Sequence, residues 1–164
     1  APGLKPQDIS NLLWAFGQLR YKAVHLLDEL PLGLGTWLHT FTSTDLCALL
    51  VGYAHARHYH KGMLDAVAPL LVERVAELGP TELLSTLWAY GIFQHRPTTC
   101  PTFLPVIAGA LERFIRRSRP QAHAMVAKAC ANLQFRPEAL LQTVVRSAEI
   151  RLADFKPSEM AALL

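Results

Sequence analysis

An all-α fold, an α-solenoid of helix pairs, is the class this sequence predicts, on three observations. LLWAFGQ at 12–18 recurs as TLWAYGI at 86–92, with LLVGYAH at 49–55 halfway between, so the chain carries an internal repeat. Apolar residues recur at spacings of three and four, and no segment alternates with period two over a useful length. At 164 residues, 51% of them hydrophobic and 18% charged, the chain is long enough for one folded domain and too apolar to be disordered. Alignment on the repeat places unit starts at Pro6, Ser43, Pro80, Pro120 and Pro157, spaced 37, 37, 40 and 37 residues apart. A single solenoid over 1–164 follows, with four full units and the opening of a fifth.

Each unit opens on the same helix start. Two residues before it stand Leu4, Phe41, Leu78, Ser118 and Phe155, and three after it Ile9, Leu46, Leu83, His123 and Met160, the two ends of a hydrophobic staple. Between them Asp8, Asp45, Glu82 and Glu159 meet the positive end of the helix dipole, while Pro6, Pro80, Pro120 and Pro157 take a first-turn position that needs no N–H. First helices are therefore predicted near 7–20, 44–57, 81–94, 121–134 and from 157 onward. The fourth unit departs at Ser118, Ala122 and His123 together, so its helix is expected to begin differently, with a three-residue insertion ahead of it.

Within the first helices, Leu13, Leu50, Leu87 and Ala127 share one column, Phe16, Tyr53, Tyr90 and Cys130 the next apolar one, and Gly17, Ala54, Gly91 and Ala131 a small-residue column that admits a close neighbour. Second helices are predicted over 24–40, 62–78, 102–117 and 137–153. Pro31, Pro69 and Pro105 fall inside three of them, each expected to remove one backbone hydrogen bond and bend its helix. The last residues, 160–164, stop partway through a helix, so the chain is expected to be part of a longer array whose neighbour covers that apolar end.

The net charge of +3 is mild, but it is unevenly spread. Residues 1–82 hold six basic and eight acidic side chains, and residues 83–164 hold ten and five, so a polyanion partner is expected to favour the second half. Cys47, Cys100 and Cys130 are odd in number and far apart, which suggests neither a disulfide framework nor a cysteine zinc site and fits a reducing compartment. No apolar run approaches the length of a membrane span, so no membrane partner is expected. The opening APGLKPQD has no signal or transit pattern, so any targeting segment is expected to have been removed or to lie beyond these residues.

Basic residues recur where first helices turn into second ones: Arg20 and Lys22, Arg57 and Lys61, Arg96, Arg136. A solenoid sets them in a row reachable by phosphates, although cations at helix C-termini also serve the dipole and stay solvated. Arg113, Arg116, Arg117 and Arg119 put four guanidiniums within seven residues, the strongest electrostatic feature of the chain. Both sets are expected on one positive edge. Trp14 and Trp88 share a column with Val51 and Lys128, beside a polar column of Gln18, His55, Ile92 and Asn132. These aromatics either stack on unpaired bases, accompanied by Asn11, Gln18, Ser85, Lys128 and Asn132, or belong to the core. His55, His58 and His60 lack a nearby carboxylate and read as helix-end histidines near phosphate rather than metal ligands. No GxSxG, HExxH, phosphate-loop or paired-carboxylate motif occurs, so neither catalysis, a cofactor nor a small-molecule substrate is expected.

The stretch LKPQDISNLLWAFGQLRY at 4–21 resembles the octotricopeptide-type repeats of algal organelle proteins and is similar to the repeats of FAST-kinase-like and RAP-domain proteins. The likeness is strong at 4–21 and 80–91, moderate at 43–59 and weak at 120–136; it does not extend to a RAP domain. It implies an RNA-binding solenoid in mitochondria or chloroplasts, acting in transcript stability, splicing, translation or organellar ribosome structure. The preferred expectation is a mitochondrial ribosomal component that clamps ribosomal RNA through Arg20, Lys22, Arg57, Lys61, Arg96, Arg113, Arg116, Arg117, Arg119, Lys128 and Arg136 among neighbouring proteins of the ribonucleoprotein. A protein-protein scaffold of HEAT or TPR type uses the same solenoid physics and remains the alternative.

Overall fold

Helix starts organise the molecule. The computed structural model describes residues 5–19, 21, 23–34 and 38–161, and among them there are nine helices and no strand. They are α1 (Pro6–Gln18), α2 (Val24–Leu34), α3 (Ser43–Ala56), α4 (Lys61–Glu73), α5 (Pro80–Phe93), α6 (Phe103–Ile115), α7 (Pro120–Asn132), α8 (Glu138–Ile150) and α9 (Pro157–Ala161). Each first helix begins on its unit start. The first-turn carboxylates do more than face the dipole. Asp8 accepts from the Lys5 N–H at 2.9 Å, Asp45 from the Thr42 N–H at 3.1 Å and Glu159 from the Lys156 N–H at 2.8 Å, so each ties down the residue ahead of its helix. Fourteen residues after their unit starts, Arg57, Gln94 and Gln134 all adopt left-handed backbone, with φ of 54°, 51° and 48°. The repeat therefore extends through the turn as well as the helix.

First helices pack side by side in chain order, α1 on α3, α3 on α5, α5 on α7 and α7 on α9, while α4, α6 and α8 form a second layer. One connected core lies between them and includes Leu13, Leu50, Leu87, Leu64, Ile107 and Val144. Small residues set the helix spacing. A Cβ on Gly91 would lie 2.9 Å from the Ala129 Cα, and one on Gly52 would lie 2.5 Å from the Leu13 Cβ. Tyr53 donates to the Leu27 carbonyl at 2.8 Å, and Tyr90 to that of Leu64 at 2.7 Å, the same bond one unit apart.

Three expectations are corrected. The second helices stop early, at Leu34, Glu73, Ile115 and Ile150, and 3₁₀ turns occupy 38–40, 75–77 and 152–154. At Arg74 (φ −109°, ψ 20°) and Arg151 (φ −120°, ψ 26°) the backbone leaves the helical region. Their guanidiniums then strap adjoining linkers together: Arg74 donates to the carbonyls of Phe41 at 2.6 Å and His39 at 3.1 Å, and Arg151 to that of Ser118 at 2.9 Å. Second, Pro105 is the third residue of α6, where its missing N–H has no intrahelical partner to lose. Pro31 and Pro69 do lie inside helices, and the carbonyls they orphan, of Leu27 and Asp65, accept from the hydroxyls of Tyr53 and Thr99. Third, the insertion lies not directly ahead of the fourth unit but in the α5–α6 turn, 94–102, while the α6–α7 linker, 116–119, is short and has no 3₁₀ turn.

Candidate nucleic-acid interface

Successive helices run in alternating directions, so the turns inside units lie at one end of the layers and the linkers between units at the other. Bonds along each end confirm the separation. His58 to Asp28 and His95 to Asp65 join each turn to the start of the preceding unit's second helix, at 2.8 and 2.9 Å, whereas Arg74 and Arg151 join successive linkers. Arg57, Arg96 and Arg136 thus sit at the turn end, and Arg113, Arg116, Arg117 and Arg119 at the linker end, about 20 Å away across a 13-residue helix. The single positive edge expected from the sequence is two edges. Arg20 and Lys22 lie outside the described residues.

The two ends differ in how much of their charge is free. At the turn end Lys61 pairs with Asp65 at 2.6 Å and Glu138 lies 3.5 Å from Arg136, which leaves exposed Arg57 and Arg96 without a carboxylate partner among the described residues. Asp65 also accepts from His95. Burial alone would push its carboxyl up, but the hydrogen bonds from Lys61 and His95 outweigh burial and hold it below the usual carboxylate range. At the linker end Arg113, Arg116, Arg117 and Arg119 are all exposed, and none has a carboxylate partner among the described residues. Lys128 is exposed on α7, apart from both ends.

A groove of about 290 Å³ opens beside this cluster, lined by Arg116, Thr143, Arg146, Ser147, Ile150 and Arg151. Sequence reasoning missed Arg146 and Arg151. Arg146 is exposed and faces the groove with Arg116, while Arg151 divides its guanidinium between the Ser118 carbonyl and Asp154, at 2.9 and 3.0 Å. The available signal was i,i+4 spacing: Arg146 sits one helical turn from Ile150 on α8, and α8 packs on α6, which ends in the arginine run. Guanidiniums converging on a groove suit phosphate oxygens, which they can bind in bidentate fashion.

Under the groove His123 fills a column that is apolar in the other units. Its Nδ1–H donates to the Arg119 carbonyl at 3.1 Å, which fixes Nε2 as the acceptor from the Ser147 hydroxyl at 2.9 Å. Ser147 is itself buried, 3.4 Å from the Arg116 carbonyl, so the pair satisfies two buried polar groups and locks α7 to α8.

The tryptophan column splits. Trp14 is 61% exposed and borders a shallow groove that includes Glu82, a carboxylate that repels phosphate. Trp88 is half-buried and borders a pocket of about 400 Å³ between α1, α3 and α5. Asn11 is exposed, Ser85 and Asn132 are half-buried, and the Gln18 side chain lies outside the described residues. The three histidines of 55–60 do three separate things. His55 is exposed against Trp88, with ring centroids 5.2 Å apart, His58 pairs with Asp28, and His60 accepts the Met63 N–H at 3.1 Å to cap α4. The cysteines are free, and burial pushes the thiols of Cys47 and Cys130 up to about 11, which leaves half-buried Cys100 the accessible one. No described helix is long and apolar enough to cross a membrane. No protein-family model matches this sequence, and no curated protein matches it.

Proposed function

We propose that this chain is a non-catalytic RNA-binding helical repeat that holds folded RNA mainly by its phosphate backbone at the linker end. The observation that carries the reading is a groove lined by the exposed arginines Arg116 and Arg146, the first next in the chain to exposed Arg113, Arg117 and Arg119, none of the five with a carboxylate partner among the described residues. Phosphate contacts dominate affinity for nucleic acid and need little else from the protein. The resemblance of 4–21 to octotricopeptide-type repeats supports an organellar setting, and within it a place on ribosomal RNA in the mitochondrial ribosome; a transcript-stability, splicing or translation role in either organelle uses the same surface. The test is binding of a structured RNA hairpin, by fluorescence anisotropy, across a salt series. Replacing Arg116, Arg117 and Arg119 by Ala should weaken binding for every hairpin and lower the salt slope by about 0.9 for each phosphate that is no longer neutralised. Unchanged affinity and slope would sink the reading and turn it to the protein-scaffold alternative.

A further inference from the structure

The pocket around Trp88 lies on the other layer and at the other end from the arginine groove, and its make-up is different. Helix α3 runs between α1 and α5, so the pocket has a floor from α3 and a wall from each neighbour. The floor is low because Ala54 is small, and Gly17 approaches so closely that a Cβ there would lie 2.9 Å from the His55 Cβ. On one side stands the indole of Trp88, tilted 48° to the His55 imidazole, with Ile92 a turn further on. On the other stands Tyr21, 61% exposed. Arg57, held at the rim by its left-handed backbone, is exposed and has no carboxylate partner among the described residues, and no carboxylate lines the pocket.

A planar ring with an anion attached satisfies every one of these features: aromatic faces to stack on, a cation at the mouth, and about 400 Å³, within the range of small-ligand sites. We propose that this pocket binds one unstacked nucleotide, its base against Trp88 and Tyr21 and its phosphate on Arg57. The groove around Trp14 makes the contrast, because it has the same indole but carries Glu82 where a phosphate would need a cation. The nucleotide is either free or a bulged residue of RNA; the second source rests on the RNA-binding reading above, the first does not.

Indole N–H signals from the ¹⁵N-labelled chain separate the possibilities. Titration with AMP to about 5 mM should shift the Trp88 signal in a saturable way, adenosine should shift it with weaker affinity, and ribose 5-phosphate should leave it in place. Arg57→Ala should weaken AMP and leave adenosine unchanged, whereas Tyr21→Ala, which removes an exposed ring and leaves the core intact, should weaken both. No saturable shift at Trp88, or a response confined to Trp14, overturns the proposal. Hairpins that differ by one bulged nucleotide then identify the source. About tenfold tighter binding of the bulged form, abolished in Tyr21→Ala, shows an RNA nucleotide in the pocket. Equal binding of both hairpins with a normal AMP response shows a free-nucleotide site. Hairpin binding without an AMP response removes the pocket and leaves the arginine groove standing.

Discussion

His123 occupies a column that reads Ile9, Leu46, Leu83 and Met160 elsewhere, and it is fully buried. Burial pushes its pKa below the ordinary histidine value; the bond to the Arg119 carbonyl opposes this and nearby Arg151 reinforces it. The neutral ring is therefore the native form, bonded to Ser147 and edge-on to Phe155 with centroids 5.7 Å apart. The sign of the pH dependence follows. Between the lowered folded pKa and the unfolded value of about 6.5, the unfolded chain takes up a proton that the folded one refuses. This stability is present in full above about pH 6.5 and is lost as pH falls through the folded pKa. Replacing both partners, His123→Leu with Ser147→Ala, leaves neither side chain orphaned, at the loss of the long 3.4 Å contact to the Arg116 carbonyl, and should cost less at pH 7.5 than either single replacement. Between pH 7 and 5, urea midpoints of the double variant should fall less than those of the wild type. Parallel curves would show that His123 does not titrate on unfolding.

At the scale of elements, Arg74 and Arg151 stand six residues before the starts at Pro80 and Pro157 and do the same work, each holding the preceding linker by its carbonyl oxygens. Arg74→Ala should cost about 1.5–3 kcal/mol in urea unfolding, the range for hydrogen bonds to a charged group. Arg74→Lys should restore little of it, since one ammonium cannot fork across the carbonyls of Phe41 and His39 as a guanidinium does. Recovery by Lys would mean that charge at the helix end, not the strap, is what stabilises. The same residues explain what was legible in the sequence. Helix starts were readable to within a residue because caps, first-turn prolines and staples act over four or five residues. The ends of the second helices were not, because a 3₁₀ turn and a last α-turn share nearly the same apolar spacing. The straps went unseen because their partners lie 33 to 35 residues away.

For the whole molecule, the basic residues were legible as a set, but their distribution was not, because alternating helix direction sends neighbours in sequence to opposite ends. Charge alone also hid which cations have partners: Lys61 and Arg136 look like Arg57 in sequence, yet Asp65 holds the first at 2.6 Å and Glu138 lies 3.5 Å from the second. The resulting layout bears on how the chain would recognise RNA under the proposed function. A reader of sequence needs equivalent polar or aromatic side chains in every unit, and the columns give His55, Ile92 and Asn132 in one place and Trp14, Val51, Trp88 and Lys128 in another. Among the described residues of these columns, the Trp88 position combines an aromatic pocket with a free cation, and the Trp14 position does not. In the proposed mode a base stacked there would contribute about 1–3 kcal/mol whatever its identity, and phosphate contacts at the linker end would be blind to sequence. Variants of a bound RNA that keep its fold and its unpaired nucleotides but scramble base identity should therefore bind within about tenfold, or ~1.4 kcal/mol, of the original. Variants that keep composition but abolish the fold should be weakened further, because the arginines then meet no fixed array of phosphates. Competition binding at fixed salt measures both, and a drop above tenfold on scrambling alone would mean that the units read bases and that backbone recognition is the wrong account.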